Sequence, residues 1–217
     1  YHNRLQQLVV LKQLKQAANA ALNKRKEADL LKKLKHSFLP QVLDFIETEE
    51  GVYTVMSFIP GKSFQQLLKE GKRFSRQELL QWSMQICSAL NYLHTQNVPI
   101  IHGDIKPSNI MLTPEGNICL IDFNISFYLD ENTVLGYTDG YTSPEQYLAV
   151  DSRRRRKGTS RYVINEKADI YSVGATLYHL AMGRKRPGYR EEMDFEGLAR
   201  VLGEPFANVI KKAADVE

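Results

Sequence analysis

Residues 102–109 read His102-Gly103-Asp104-Ile105-Lys106-Pro107-Ser108-Asn109, and Asp122-Phe123-Asn124 follow a short way on. Two carboxylates, an amide and an ammonium at these offsets suit the handling of a magnesium-bound phosphate. Mg2+ takes a few protein oxygens and completes its octahedron with water and substrate phosphate oxygens. Asn109 and Asp122 can supply that small oxygen set. Asp104 stands on the same approach loop, where it can accept the proton of an attacking hydroxyl. Lys106 can neutralise charge on a phosphoryl group in transit. Each of these residues alone is an ordinary loop residue, since Asp, Asn and Pro are common in turns. A calcium loop fits poorly, because the alternating acidic spacing and central glycine of an EF-hand are missing.

Chemistry at these positions needs elements that bring them together. Ile110-Met111-Leu112-Thr113 reads as a strand, Pro114-Glu115-Gly116-Asn117 as a turn and Ile118-Cys119-Leu120-Ile121 as the return strand. A hairpin closes its open ends on each other, so Asn109 and Asp122 arrive at the same end. Upstream, Leu8-Val9-Val10-Leu11 reads as a buried strand ending at Lys12. The pattern from Ala17 to Leu34 is helical, and Glu27 shares a face with Leu30, Leu31 and Leu34. A carboxylate on an apolar face needs a partner, for which Lys12 is the best candidate, or else reaches out to solvent. Val52-Tyr53-Thr54-Val55-Met56 reads as a strand that runs into the loop Ser57-Phe58-Ile59-Pro60-Gly61. Ser75 with Glu78 three residues on marks a helix start. That helix runs to about Thr95 on an apolar stripe of Leu79, Trp82, Ile86, Leu90 and Leu93. Further helices are expected over Lys167–Met182 and from Phe206 to Val216.

The chain has 217 residues, 43% hydrophobic and 25% charged, which suits one globular unit or two small lobes. A net charge of +4 does not by itself argue for a nucleic-acid partner. Cys87 and Cys119 are too few for a disulfide framework and form no zinc motif. No uninterrupted apolar stretch is long enough to span a bilayer. The chain is therefore expected to be cytoplasmic, or the cytosolic part of a longer membrane-anchored protein.

The pattern His-x-Asp-x-Lys-x-x-Asn, then a hairpin, then Asp-Phe, resembles the catalytic loop and magnesium-binding segment of protein kinases. The resemblance extends over nearly the whole chain. It implies an α+β, two-lobed fold, with a partial, mainly β N-lobe over residues 1–59 and a mainly α C-lobe over 60–217. It implies ATP and Mg2+, with Asp104 as catalytic base, Lys106 on the transferring phosphoryl, and Asn109 and Asp122 as magnesium ligands. By the same resemblance Lys12, fixed by Glu27, holds the α- and β-phosphates. Val10 and Met111 would sandwich the purine, Met56 would be the gatekeeper, and the backbone of Ser57 and Ile59 would meet the adenine edge. Asp169 would hold the catalytic-loop backbone. Thr138 stands at the place of a substrate-adjacent threonine, and Ser143-Pro144-Glu145 at that of Ala-Pro-Glu. A lysine two residues after the catalytic aspartate is similar to the serine/threonine class. The Ser143–Tyr147 segment resembles bacterial members. The implied partner is a protein substrate with a Ser or Thr acceptor; no specific nucleic acid is expected.

The chain departs from the family pattern at four places. No Gly-x-Gly-x-x-Gly is present, and the resemblance puts that loop ahead of Tyr1. Gly103 replaces the arginine that pairs with a phosphate on the activation segment, so phosphorylation there is not expected to be needed. Asn124 replaces the glycine after Asp-Phe, a left-handed position that Asn tolerates. Arg153–Lys157 is a basic run, read as a solvated loop or an anion-attracting patch. Two other readings stay open. One is a pseudokinase that binds nucleotide or serves as a scaffold without turnover. The other is a small-molecule phosphotransferase of the same fold, which the Ser-Pro-Glu segment disfavours.

Overall fold

The computed structural model describes residues 6–13, 32–49, 51–122, 137–154, 164–188 and 191–215. The first sheet holds β1 (Val9–Gln13), β2 (Val42–Thr48) and β3 (Gly51–Ser57) in the order β1-β3-β2, all antiparallel. Val52, Tyr53, Thr54 and Val55 favour a half-buried pleated surface, and β3 takes the centre with Val55 fully buried. The strand at Val9–Gln13 forms, but the expectation that its apolar run is buried fails. Leu11 is 60% exposed, and Leu8 and Val10 also stand in solvent. The reason is position: among the described residues β1 is an edge strand that pairs with β3 alone.

The second sheet is small and leads to the loop of residues 102–109. β4 (Lys62–Ser63) pairs with β5 (Ile110–Leu112), which pairs with β6 (Ile118–Leu120). Gly61 enters β4 at φ +113°, and a Cβ there would lie 2.0 Å from the Leu112 carbonyl oxygen, so only glycine allows this approach. Ser63 and Gln66 then close a capping box on the short helix α1 (Phe64–Lys69).

The helix expected after Ser75 is α2 (Arg76–His94). Its capping box is complete: the Ser75 N–H donates to Glu78 Oε2 at 2.8 Å, and the Glu78 N–H donates to Ser75 Oγ at 3.2 Å. The Ser75 N–H first, and also the Ser75 hydroxyl donating to Oε2 at 2.8 Å, hold the Glu78 carboxyl below its ordinary range. All five residues of the apolar stripe are buried, and burying each such side chain stabilises the fold by about 1.5–3 kcal/mol. The polar edge of α2 grips the hairpin turn. Trp82 Nε1 donates to the Gly116 carbonyl at 3.0 Å. Gln85 takes the Ile118 N–H at 2.9 Å and gives its own amide to Asn117 at 2.7 Å.

Helix α3 (Pro144–Arg154) follows Ser143, and α4 (Lys167–Met182) occupies the expected range. From Ala168 to Leu180 only Ile170 of α4 is exposed. Gly174 lets α4 close on the end of the chain's last described helix, since a Cβ there would sit 2.9 Å from the Ala214 nitrogen. The helices α5 (Phe195–Leu202) and α6 (Glu204–Ala213) pack on α4. The latter is the helix expected from Phe206 to Val216, begun earlier because Pro205 fits the first turn. The loop before β2 joins the first sheet to the helical body. His36 stacks on Tyr92 with ring centroids 5.1 Å apart, the Lys35 N–H donates to Tyr92 Oη, and the Leu120 N–H donates to the Phe38 carbonyl. Among the described residues no helix is long and apolar enough to cross a membrane.

Candidate active site

The loop before the hairpin is pinned from beneath by a buried carboxylate. Asp169, in the first turn of α4, is fully buried. Its Oδ2 accepts the His102 N–H and its Oδ1 the Gly103 N–H, both at 2.8 Å. His94 Nε2, in the last turn of α2, lies 2.8 Å from Asp169 Oδ2. A buried carboxylate with several donors turns a desolvation cost into a rigid joint. His102 is itself fully buried, and that burial pulls its pKa below the ordinary imidazole value despite the pull of Asp169 the other way.

Above this joint Asp104 is partly exposed and held by three donors. Lys106 Nζ donates to its Oδ2 at 2.7 Å, Asn109 Nδ2 to the same oxygen at 3.0 Å, and Thr138 Oγ1 to its Oδ1 at 3.0 Å. Lys106 Nζ also donates to Thr138 Oγ1 at 3.0 Å, closing a triangle. Asn109 Nδ2 makes a second bond to the Asp104 carbonyl at 2.8 Å. Asp104, Lys106 and Asn109 are therefore brought together. Thr138 completes the triangle from 34 residues away; local periodicity could not place it there, although the family likeness marked it.

The hairpin delivers Asn109 and Asp122 to one end, where the Ile121 N–H donates to the Asn109 carbonyl at 2.9 Å. Asp122 has φ +64°, an uncommon left-handed value for a residue that is not glycine. Its Oδ1 forms an ion pair with Lys12 Nζ, which joins the first sheet to the hairpin. Glu27, the expected partner of Lys12, lies outside the described residues, as do Phe123, Asn124 and Arg155–Lys157. Among the described residues no cluster of three or more His, Cys, Asp or Glu could hold a metal on its own. Mg2+ does not ask for one, since one or two hard oxygens plus phosphate oxygens suffice. The residues fit that demand. Only Oδ1 of the Asp122 carboxylate is engaged by Lys12, and the Asn109 amide uses its nitrogen on Asp104, while its oxygen accepts from Ser108 Oγ at 3.1 Å and keeps a second lone pair.

The expected adenine-facing residues fall on the facing strands and the loop between the sheets. Val10 and Met56 are cross-strand partners of β1 and β3, and Val9 pairs with Ser57. The Ser57 N–H donates to the Gln41 carbonyl at 2.9 Å, so that group is already committed. Ile59 is half-buried in the loop after β3, and Met111 lies on β5 between Ser63 and Cys119. Burial pushes the Cys119 thiol up to about 12, so it stays protonated at neutral pH.

Known proteins resemble the chain in sequence and in fold. A protein kinase domain family matches residues 1–202. The hormonally up-regulated neu tumor-associated kinase of Homo sapiens is 30% identical over 175 residues, which is 79% of this chain and 23% of that protein. The serine/threonine-protein kinase Nek3 of Mus musculus is 31% identical over 176 residues, 80% of this chain and 32% of that one. The fold is shared with the crystal structure of the Mycobacterium tuberculosis PknI kinase domain, C20A mutant. There the TM-score is 0.71 at 21% identity, over 96% of this chain and 77% of that one. The chain belongs to the protein kinase family, with serine/threonine kinases among its relatives, and has the two-lobed α+β fold of that family. Its match spans about a quarter of the length of the first of these relatives.

Proposed function

We propose that the chain is the phosphotransfer unit of an ATP- and Mg2+-dependent serine/threonine protein kinase, divided into lobes at residues 59 and 60. The observation that supports it best is the Asp104–Lys106–Thr138 triangle standing beside the open end of the hairpin. Asp104 is partly exposed, so a substrate hydroxyl can reach it, and its three donors fix the carboxylate for orienting that hydroxyl and taking its proton. Lys106 places a positive charge beside the base, where it can bind a phosphoryl oxygen. Lys12 on β1 would hold the α- and β-phosphates. Val10, Met56, Met111 and the backbone of Ser57 and Ile59 would enclose the adenine. Asn109 and Asp122 would hold Mg2+, which neutralises charge on the phosphates when bound. The test uses the full-length protein with γ-labelled ATP and a generic protein substrate, beside Asp104→Asn. The expected result is label on Ser or Thr from the parent and a loss of about 100- to 10,000-fold in the variant. Equal label from both, or none from either, would point to a module that binds without turnover.

A further inference from the structure

Gln146 lies two residues into α3, is 1% exposed, and spends its side-chain amide on one local and one distant partner. Its Oε1 accepts from the Ser143 N–H at 3.4 Å and from Ser143 Oγ at 3.3 Å, which caps the helix start. Its Nε2 crosses 43 residues of sequence and donates to the Gly103 carbonyl at 3.1 Å. A buried amide is costly unless both ends are bonded, so this geometry is specific to the docked arrangement. Gly103 is the residue between His102 and the Asp104 carboxylate. Its φ of +73° costs glycine little. Its N–H is held by Asp169 and its C=O by Gln146, so the peptides on both sides of it are fixed.

The segment ahead of Gln146 is docked in the same way. The Thr138 N–H donates to Thr142 Oγ1 at 2.8 Å, and Ser172 Oγ on α4 donates to the Tyr141 carbonyl at 2.9 Å. Thr138 in turn touches Asp104 and Lys106. Two ties therefore run from this segment to the catalytic loop, one through a hydroxyl and one through a neutral amide, and neither uses a phosphate.

We propose that Gln146 is a positioning residue: its bond to the Gly103 carbonyl locks the segment 138–146 onto the catalytic loop and sets the peptide that carries Asp104. This rests on Asp104 acting as the base. It supplies a docking tie at the very residue where the phosphate-pairing arginine of the family is replaced by glycine.

The test compares full-length parent, Gln146→Met and Gln146→Glu. Methionine keeps the volume and loses the donor. Glutamate keeps the acceptor for Ser143 and can donate to Gly103 only when protonated. Gln146→Met should lose about 10- to 100-fold in kcat at every pH, with KM for ATP within about twofold of the parent. The ratio of Gln146→Glu to parent kcat should rise as pH falls. Amide hydrogen exchange should quicken over residues 102–106 and stay unchanged in α2 and α4. A kcat for Gln146→Met within about twofold of the parent, or faster exchange spread across the helical body, overturns the proposal. If the parent transfers no phosphate, the kinase reading fails on its own. The exchange result then decides the Gln146 tie: faster exchange confined to 102–106 supports it, and exchange equal to the parent's sinks it.

Discussion

The two partners of the Lys12–Asp122 ion pair come from unlike halves. Lys12 rides on an edge strand whose apolar neighbours stand in solvent, and its side chain is 36% exposed. Asp122 closes a hairpin clamped by α2, one residue beyond a backbone bond to Asn109. Beneath them Asp169 and His102 are wholly buried. The difference teaches that Asp104, Lys106 and Asn109 sit on a stiff platform, while Lys12 is carried by a thinly covered sheet. Substitutions in the platform should cost stability, and substitutions at the lysine should cost activity alone.

The largest expected effect breaks the platform. Asp169→Ala strands the His102 and Gly103 N–H groups in a buried site, and we expect a loss of about 3–5 kcal/mol in urea unfolding. A loss under about 1 kcal/mol would show that the joint is not structural. Lys12→Met sharpens the contrast from the other side. Its ion pair is solvent-screened, so stability should change by less than about 1 kcal/mol, while phosphotransfer falls by about 100-fold. Parallel losses in melting temperature and activity would erase the distinction between the halves.

The smallest effect is on pH. Burial lowers the pKa of His102, and also of the half-buried His36 and of His179, which Lys185 lowers further. Below the ordinary imidazole value of 6.5 the unfolded chain takes up protons that these folded imidazoles refuse. The unfolded state then binds more protons, so stability rises with pH and is lost as the solution is acidified through and below 6.5. Unfolding midpoints taken from pH 7.5 down to about 5 should fall; midpoints that hold level or rise would contradict the burial of these rings.

Much of the platform was legible in the sequence because its signals are local. The hairpin needed only two short apolar runs around Pro-Glu-Gly-Asn. The helix α2 needed a serine cap, a glutamate three residues on and an unbroken stripe. The limits of α4 were readable to the residue. Short helices were not: α1 and α5 span too few turns for periodicity, although Ser63 with Gln66 and Asp194 with Gly197 carry capping signals. The exposure of β1 was missed because an apolar run does not reveal how many neighbours its strand has. Gln146 was missed for a different reason. Its bond to Gly103 links positions 43 residues apart, and no spacing rule reaches that far.

Mg2+-dependent ATP affinity, measured by titration on the full-length parent, Asp104→Asn and Asp122→Ala, bears most directly on the assignment of the site. Asp104→Asn should bind Mg-ATP like the parent while failing to transfer phosphate. Asp122→Ala should lose the magnesium dependence of binding. An Asp122→Ala protein whose ATP affinity still rises with Mg2+ as the parent's does would contradict the placement of the metal at the end of the hairpin, and with it the proposed chemistry.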